Sequence, residues 1–498
     1  MKNIPASILR AVEVCAWPVM GLALLLLPVT SLPLFSKLMG RTTVAPASAI
    51  FIFILTVGWL PIYLLRGGKF PAEFRVFLTF VVAVLVASAA AFFLAFPPYK
   101  GFSLVGTETK ALITLAIGGA TYVIISLWHR ELSQFKFALW LINIGGGISL
   151  AWSFAQLYVI LHLDGNYPAM MIKLQGLIST RDLLDLGFRT RVGGLTYEPS
   201  WLAHQLNVVY IPYWLAATVT GFSTTRKVLR LSLENVLLIG GIVIMYFTAS
   251  RVGQLAFLLM LAYGIYRLNV RGIRWLVDRI RDRFQRNPAT AGWSSEKRIR
   301  AFLVPMVGLI YALILVALVL LLPRLNPRFG DLLKYADSLS NLFEYAYQVG
   351  LAERVVYWSV GWSVFAHYPL LGVGLGNNGY FFKELLPSIS FRSNEVMTLL
   401  RIAGDLPNIK SMWVRLLAES GLVGFSLFVV WQYVLLQGSG FLRTNGSLLL
   451  RTLGWMGAFA IAAFLAEGFS IDSFALPYLW ISTGLLTAAS ALARRQSI

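Results

Sequence analysis

Cysteine and charged residues are both scarce in this sequence. A single cysteine, Cys15, excludes any intramolecular disulfide and any metal site built from several cysteines. Charged residues make up 13% of the 498 residues and hydrophobic residues 58%, whereas a soluble domain carries about 25% charge. So few charges cannot form a water-soluble surface. We therefore expect membrane lipid to cover most of the protein.

Long apolar runs take up most of the chain. A helix needs about 20 mostly apolar residues to cross the hydrocarbon of a bilayer. The sequence therefore predicts an all-α polytopic membrane protein with about 12 transmembrane helices. The candidate spans are 13–35, 46–65, 75–96, 110–128, 137–161, 200–220, 231–249, 252–268, 301–322, 412–436, 452–468 and 475–492.

Basic residues outnumber acidic ones, 42 to 22, and give a net charge of +20. Such a balance can indicate nucleic-acid binding, but here the charge lies in short loops between spans, where it marks the cytoplasmic side. We therefore expect both termini in the cytoplasm and no nucleic-acid partner. Within the most basic loop, residues 272–284 alternate arginine and apolar residues at helical spacing. This pattern predicts an amphipathic helix on the inner leaflet.

This topology divides the chain into seven segments, with a large periplasmic loop before the tenth span. They are transmembrane helices 1–5 (1–161), a periplasmic loop (162–199), helices 6–8 (200–268), a basic cytoplasmic loop (269–300), helix 9 (301–322), the large periplasmic loop (323–411) and helices 10–12 (412–498).

The two long periplasmic loops also carry arginines, several of them beside helix ends. Long loops cross the membrane regardless of charge, so tolerance alone could explain these residues. Arginine, however, binds phosphate through a planar fork of donors and keeps its proton. The placement favours an anionic ligand at the outer membrane interface, such as a lipid-linked diphosphate.

The first motif in these loops is RVGGLTYEPS, from Arg191 to Ser200, which runs directly into the sixth span. Pro199 stands in the first turn, where a helix tolerates proline, and Glu198 lies near the positive end of that helix. An ordinary helix start with an acidic first turn would give the same pattern.

The second motif is TASR, residues 248–251, between the seventh and eighth spans. A two-helix hairpin with almost no loop would fix the Arg251 guanidinium tightly at the interface. Arg251 could equally extend its side chain to water from a helix end.

The third motif runs from Arg354 through His367 to the GVGLG run at residues 372–376. A glycine-rich run of this kind can bind nucleotide phosphates, but here it follows a helix rather than a strand and lies outside the cytoplasm. We therefore reject a nucleotide site. The glycines instead predict a tight turn or a close approach of the backbone to a ligand.

Three further polar residues lie within or beside the spans. We expect His204 to be packed or hydrogen-bonded inside the sixth span. Glu419 and Glu467 are intramembrane acids, which are functional candidates by default, although a structural partner would explain either one.

Together these motifs resemble those of the O-antigen polymerases and O-antigen ligases of bacterial polysaccharide assembly. The similar features are RVGGLTYEPS before a mid-chain span, TASR at a helix junction, RVVYWSVGWSVFAHYPLLGVGLG in a large late loop, and WVRLLAESGLVG at the start of the next span. The resemblance covers about residues 185–435, and the first five spans add only hydropathy.

The resemblance implies a metal-independent, inverting glycosyltransferase with a fold similar to the GT-C class, in the bacterial inner membrane, with a periplasmic active site and no cofactor. In such families periplasmic arginines bind the diphosphate of an undecaprenyl-linked glycan, which corresponds here to Arg191, Arg251 and Arg354. A base must also activate the acceptor hydroxyl. Glu198 is the first candidate and His367 the second, although His367 could instead cap its helix beside Pro369.

Polymerase and ligase differ in the acceptor. A polymerase moves the growing glycan onto a lipid-linked repeat unit, whereas a ligase moves it onto lipid A core. Ligases show a histidine before the late span, where this sequence has Lys410 and Ser411. The sequence therefore favours a polymerase. Its partners would be a donor and an acceptor oligosaccharide on undecaprenyl diphosphate, the lipid bilayer and, as a further candidate, a chain-length regulator. A transporter of lipid-linked sugar is an alternative of another class, but the charges cluster at one face rather than at the midplane.

Overall fold

A computed structural model describes residues 6–40, 42–285, 330–331, 334–401 and 406–496, together with scattered helical residues between 301 and 320. These residues form helices and connecting loops, without any β-strand. The first helices are α1 (Ala6–Leu25), α2 (Pro33–Leu38), α3 (Ser48–Gly58), α4 (Leu60–Leu65), α5 (Ala72–Ala91), α6 (Leu104–Trp128), α7 (Leu132–His162), α8 (Ala169–Ile178), α9 (Leu186–Arg189), α10 (Pro199–Gln205), a π-helix (Leu206–Tyr210), α11 (Ile211–Thr220), α12 (Leu233–Phe247) and α13 (Arg251–Gln285).

The later part of the chain alternates short and long helices. They are a 3₁₀ helix (Ala336–Ser340), α14 (Leu342–Gln348), α15 (Ala352–His367), two more 3₁₀ helices (Asn378–Phe381 and Ser388–Arg392), α16 (Asn394–Arg401), α17 (Met412–Leu442), α18 (Leu448–Glu467) and α19 (Tyr478–Gln496).

Six stretches of helix among the described residues are long and apolar enough to cross a membrane. They are α3 with α4, α5, α6, α7, α17 and α18. A polytopic, all-helical membrane protein is therefore confirmed, whereas the count of about 12 spans and the GT-C-like arrangement stay predictions. The predicted ninth span, residues 301–322, lies outside the described residues except for its scattered helical positions. Residues 286–300, 323–329 and 402–405 of the predicted loops also lie outside them.

Two predicted boundaries differ from the structure. The first span was expected over 13–35, but α1 ends at Leu25. Pro28 explains the early end because it has no N–H to donate to the carbonyl of Leu24. The predicted eighth span and the predicted amphipathic helix at 272–284 also prove to be parts of one continuous helix, α13.

The described chain divides into two compact units. The first contains residues 1–260, 360–385 and 404–498, and the second contains residues 261–359 and 386–403. The division passes through α13 and α15.

In the first unit α18 is the central helix, with 83% of its membrane-length window buried, against 33–56% for the other five stretches. A cluster of aromatic rings packs α5, α6, α17 and α19 together nearby. Trp431 stacks on Trp480 with ring centroids 5.7 Å apart, and Phe77 and Tyr122 lie 5.3 and 5.2 Å from Trp431. Burial of such large rings is a major contribution to the stability of this unit.

The sixth span contains a π-helix, Leu206–Tyr210, between α10 and α11. Pro212 has no N–H to donate to the carbonyl of Val208, four residues earlier. The hydroxyl of Ser482 donates to that carbonyl instead, at 2.5 Å. The helix irregularity is therefore satisfied by a neighbouring helix, as an apolar environment requires.

The second unit is held by polar contacts between its short helices. Arg392 Nη1 lies 2.7 Å from Glu344 Oε2, and the Arg392 guanidinium lies over the Tyr347 ring at 4.1 Å. The hydrogen bond from Arg392 lowers the pKa of the Glu344 carboxyl. Tyr357 donates to Glu395 at 3.0 Å, which joins α15 to α16.

Side-chain contacts near helix ends join distant segments of the first unit. At one end Arg66 pairs with Glu13 at 2.5 Å, and Arg494 pairs with Glu73 at 2.6 Å. At the other end of α1 the Ser31 hydroxyl lies 2.5 Å from the Thr180 hydroxyl. Each of these pairs joins segments that are predicted to share a membrane side.

Candidate active site

The RVGG turn before α10 is fixed by a buried glutamine of α7. The side-chain oxygen of Gln156 accepts hydrogen bonds from Gly193 N at 3.1 Å and Gly194 N at 2.8 Å, and its nitrogen donates to Gly194 O at 3.0 Å. Gly194 has φ +61°, a conformation that glycine adopts without steric cost. Val192 N donates to Phe247 O at 3.0 Å, which holds the turn against the end of α12.

The contact between the RVGG turn and the end of α12 brings the first two arginine-bearing motifs together. Arg191 Nε donates to the carbonyl of Thr248 at 2.9 Å. Thr248 ends α12, and Arg251 begins α13 three residues later. Ala249 between them has φ +47°, and the Ser250 hydroxyl accepts from Gly253 N at 3.2 Å and so caps α13. The TASR junction is thus a tight, nearly loop-free turn, as predicted.

Glu198 lies beside this turn, at the N-cap position of α10. Arg181 Nη1 lies 3.5 Å from Glu198 Oε2, and Arg181 Nε lies 2.7 Å from Asp185 Oδ2. The Ser200 hydroxyl donates to the other Glu198 oxygen. The side chain of Glu198 is 36% exposed, so its carboxylate is both oriented and open to an incoming group. We call Arg181, Arg191, Glu198, Thr248 and Arg251 the rim cluster.

The segment that follows α1 contacts residues next to the rim cluster. Tyr197 N donates to the Thr30 hydroxyl at 2.9 Å, and Thr180 N donates to Ser31 O at 3.0 Å. The Arg181 guanidinium lies over the Tyr197 ring at 5.4 Å. Burial raises the pKa of Tyr197, which keeps its phenol neutral.

The late motif forms a second polar feature of the first unit, where α17 is broken at Gly421 (φ +62°, ψ −167°). The PLLGVGLG segment inserts into the break and satisfies the backbone groups that the broken helix leaves unpaired. Val373 N donates to Ala418 O and Gly374 N to Glu419 O, both at 3.0 Å; in return Leu422 N donates to Pro369 O at 2.8 Å and Val423 N to Leu370 O at 3.2 Å.

The glycines of this segment have positive φ and lie against other helices of the protein, whereas the predicted approach to a ligand stays a prediction. A side chain at Gly372 would meet Ala418 O at 2.5 Å, and one at Gly421 would collide with Leu370 O. Gly372 thus approaches α17, whereas Gly374 lies against Ala91 of α5 and Gly376 against Ala111 of α6. The GVGLG run is therefore part of the scaffold of the late span.

Residues 236–429 match the family model described as O-antigen ligase. We call residues 236–429, the segment that is similar to this family model, the O-antigen ligase domain. The predicted place in the superfamily of O-antigen polymerases and ligases is thereby confirmed. The domain begins in α12 and ends within α17, so it contains Arg251 and the break at Gly421, whereas Arg191 and Glu198 precede it. No curated protein matches the chain.

Two predicted site residues of the O-antigen ligase domain lie in α15. Arg354 belongs to the second unit, near the start of the helix, and is half-buried. His367 ends the helix and is exposed; its Nδ1 lies 2.7 Å from Ser363 O, one helical turn earlier. In the described part of the chain the Ser363 carbonyl is the hydrogen-bond partner of His367. This contact corresponds to helix capping, the alternative to a catalytic role for His367.

His204 and Glu467 form a buried polar cluster beneath the rim cluster. His204 Nδ1 lies 3.4 Å from Glu467 Oε2, without the alignment of a hydrogen bond. Asn207 donates to Glu467 Oε1 at 2.6 Å and to Gly253 O at 2.7 Å. These contacts link α10, the π-helix, α18 and the start of α13. They confirm His204 as a packed membrane histidine and give Glu467 a structural partner.

Two arginines beside the predicted site residues were given no specific role from the sequence. Arg181 faces Glu198, and Arg415 Nε binds Glu419 Oε2 at 2.8 Å while its Nη1 donates to Asp472 O at 2.6 Å. Arg181 with Asp185 and Arg415 with Glu419 each have the spacing i,i+4, which was the available signal. The amide of Asn378 also donates to Glu419, which explains that intramembrane acid structurally.

Among the described residues, no three or more histidine, cysteine, aspartate or glutamate side chains are grouped so that they could hold a metal ion.

Proposed function

We propose that the protein is a bacterial polysaccharide polymerase that acts on O-antigen or exopolysaccharide. It transfers a glycan from undecaprenyl diphosphate to a lipid-linked repeat unit at the periplasmic face of the inner membrane. The observation that carries the proposal is the hydrogen bond from Arg191 to Thr248, which holds the two arginine-bearing motifs of the rim cluster against each other. The O-antigen ligase domain supports the same class of chemistry.

In this proposal Arg191 and Arg251 bind the diphosphate and stabilise it as it leaves. Negative charge builds on the departing diphosphate, and donors that are fixed in advance lower the barrier most. The contact with Thr248 fixes the orientation of the Arg191 guanidinium before substrate arrives. Arg251 stands at the positive end of α13, where the helix adds to the attraction for an anion. Arg354 stays a proposed third ligand on the resemblance alone.

Glu198 is the proposed general base. The acceptor hydroxyl oxygen forms a bond to the anomeric carbon, the bond from that carbon to the diphosphate oxygen breaks, and the hydroxyl proton passes to the Glu198 carboxylate. Attack opposite the leaving group inverts the anomeric centre. Arg181 orients the carboxylate, and the two rim arginines supply the positive charge that a metal would otherwise provide. His367 is the second candidate for the base.

A polymerase is preferred over a ligase because of the segment that precedes α17. Where the resembling ligases show a histidine, Lys410 donates its backbone N–H to Asp472 Oδ2 at 3.0 Å, and the Ser411 hydroxyl caps α17 through Val414 N at 3.4 Å. Neither residue offers an imidazole. Transfer to lipid A core is the alternative activity, and transport of lipid-linked sugar is the alternative of another class.

The decisive experiment incubates the purified protein with its undecaprenyl-diphosphate repeat unit, with and without lipid A core. Elongated lipid-linked products without lipid A core are the expected result. Products that form only with lipid A core would make the protein a ligase. Movement of the lipid-linked sugar across vesicles without any new glycosidic bond would make it a transporter. The Arg191→Ala variant is the inactive control.

A further inference from the structure

A second group of cations surrounds a cavity at the opposite end of the first unit from the rim cluster. The cavity has a volume of about 350 Å³ and lies where α1, α4 and α19 meet the short loops at 66–69 and 129–131. We call it the basic pocket. Its cations are Arg66, Lys69, Arg130 and Arg495, and its wall includes Trp59 and Tyr63.

Most of the positive charge in the basic pocket is not balanced within the described chain. Arg66 pairs with Glu13 at 2.5 Å. Among the residues that the structure describes, no carboxylate pairs with Lys69, Arg130 or Arg495. Glu13 also lines the cavity, so its four cations face a single carboxylate, which Arg66 already binds.

Arg130 is held by aromatic rings rather than by an acid. Its guanidinium carbon lies 5.2 Å from the Tyr63 ring centroid and 5.9 Å from the Trp59 centroid, and these two rings stack 5.1 Å apart. Stacking of this kind positions a guanidinium while leaving its charge unneutralised. Trp59 and Tyr63 are also the residue types that gather at the level of lipid headgroups.

The positive-inside rule accounts for basic loops but not for their convergence. Lys69, Arg130 and Arg495 come from three distant parts of the sequence, and like charges that face one cavity repel each other. An anion in the cavity would remove that repulsion. Basic pockets between transmembrane helices on the cytoplasmic side suit anionic headgroups, and the volume suits a group of that size.

We propose that the basic pocket is a binding site for a phosphate group, carried by an anionic lipid headgroup or by a small phosphorylated molecule. The site lies on the face that the charge distribution assigns to the cytoplasm. It is separate from the rim cluster and does not depend on the function proposed for that cluster.

The test uses the full-length protein in nanodiscs of phosphatidylcholine with increasing fractions of phosphatidylglycerol, and in detergent with inorganic phosphate. We expect phosphatidylglycerol to raise the thermal unfolding temperature and to remain bound in native mass spectrometry. A response to inorganic phosphate of equal strength would identify a soluble phosphorylated ligand, and a response to phosphatidylglycerol alone would identify a lipid. Both results support the site.

The variant Lys69→Gln with Arg495→Gln removes two exposed cations of the pocket. It should weaken phosphate binding by about tenfold or more, since each charged hydrogen bond contributes substantially. The contact of Tyr63 with the Lys69 carbonyl, at 2.8 Å, is unaffected by this change. The matched control is Arg226→Gln with Arg230→Gln, which removes two exposed cations from another loop of the same predicted face.

Equal binding by wild type, pocket variant and control would overturn the proposal, because it would reduce the effect to general surface charge. The absence of any difference between phosphatidylglycerol and phosphatidylcholine, together with no response to inorganic phosphate, would also overturn it. Should the double variant fail to fold, Lys69→Gln alone gives the same comparison with a smaller expected change.

Discussion

The rim cluster and the basic pocket both gather arginines at one end of a helical unit, yet they hold them differently. In the rim cluster each described contact fixes a direction: Arg191 binds a backbone carbonyl, and Arg181 binds two carboxylates. In the basic pocket Arg130 stacks on aromatic rings, and Lys69 and Arg495 have no carboxylate partner in the described chain. Fixed donors suit a reacting group, whereas a loosely held cluster suits the binding of a headgroup.

The number of cations at a site therefore does not by itself indicate whether the site catalyses a reaction or only binds an anion. A donor lowers a reaction barrier only if it is aimed at the charge that develops, so its own hydrogen bonds matter as much as its charge. Binding of an anionic headgroup by exposed cations depends mainly on their summed charge. Substitutions in each cluster can distinguish a need for oriented donors from a need for charge alone.

The largest effect is expected from removing the rim arginines. Arg191→Ala and Arg251→Ala should each lower the rate of polymer elongation by about 10³-fold, because a preplaced donor to the leaving group is lost. The measurement is product length and rate with purified protein, together with protein level in the membrane, which should be normal. Arg189→Ala is the matched control, since Arg189 is an exposed arginine of the same loop. Wild-type ladders from Arg191→Ala would remove that residue from the site.

The next effect is expected at the proposed base. Glu198→Gln should lower the elongation rate by about 10²-fold while donor binding is retained, because the amide cannot accept the hydroxyl proton. Rate and donor affinity are measured separately on the purified protein. Asp185→Asn is the control, as it touches the same Arg181 without facing the acceptor. Equal losses in both variants would assign Glu198 a role in holding Arg181 instead.

A charge-preserving change tests the comparison directly. Arg191→Lys should lower the elongation rate by about tenfold, because lysine has no Nε–H fork with which to bind Thr248 O and a phosphate together. Lys69→Arg should leave phosphate binding at the basic pocket nearly unchanged, since the charge remains. If the elongation rate and the phosphate affinity fall by the same factor in the two variants, the distinction between oriented and loosely held cations is wrong.

The smallest effect is expected at the second candidate base. His367→Asn should change the elongation rate by less than about twofold, as expected for an exposed residue that bonds only to its own helix among the described residues. The assay is the same as for Glu198→Gln, and protein level serves as the control. A loss as large as that of Glu198→Gln would exchange the two assignments.

Hydropathy predicted much of the helical framework, since α5, α6, α7, α17 and α18 fall on predicted spans. A span is a local property of about 20 residues, so sequence reasoning can reach it. The bound of α1 was missed because hydropathy continues past Pro28, where the backbone cannot. The π-helix and the break at Gly421 were missed because each depends on a distant partner, Ser482 in one case and the PLLGVGLG segment in the other.

The candidate site was predicted in part for the same reason. The residue types of Arg191, Glu198 and Arg251 and their nearness to helix ends are visible in the sequence. The contact of Arg191 with Thr248 and that of Arg181 with Glu198 join residues 57 and 17 positions apart. The basic pocket was not predicted at all, because its cations come from two loops and the end of α19, which only the fold brings together.

The interruption of α17 has a consequence for biogenesis. Until residues 369–374 dock, four peptide groups near Gly421 would face hydrocarbon without partners, at a cost of several kcal/mol each. The span α17, which includes this break, cannot reach its native state in isolation. It needs the upstream residues 369–374 to complete its hydrogen bonds. We therefore expect docking of residues 369–374 and stable integration of that span to occur as one cooperative event.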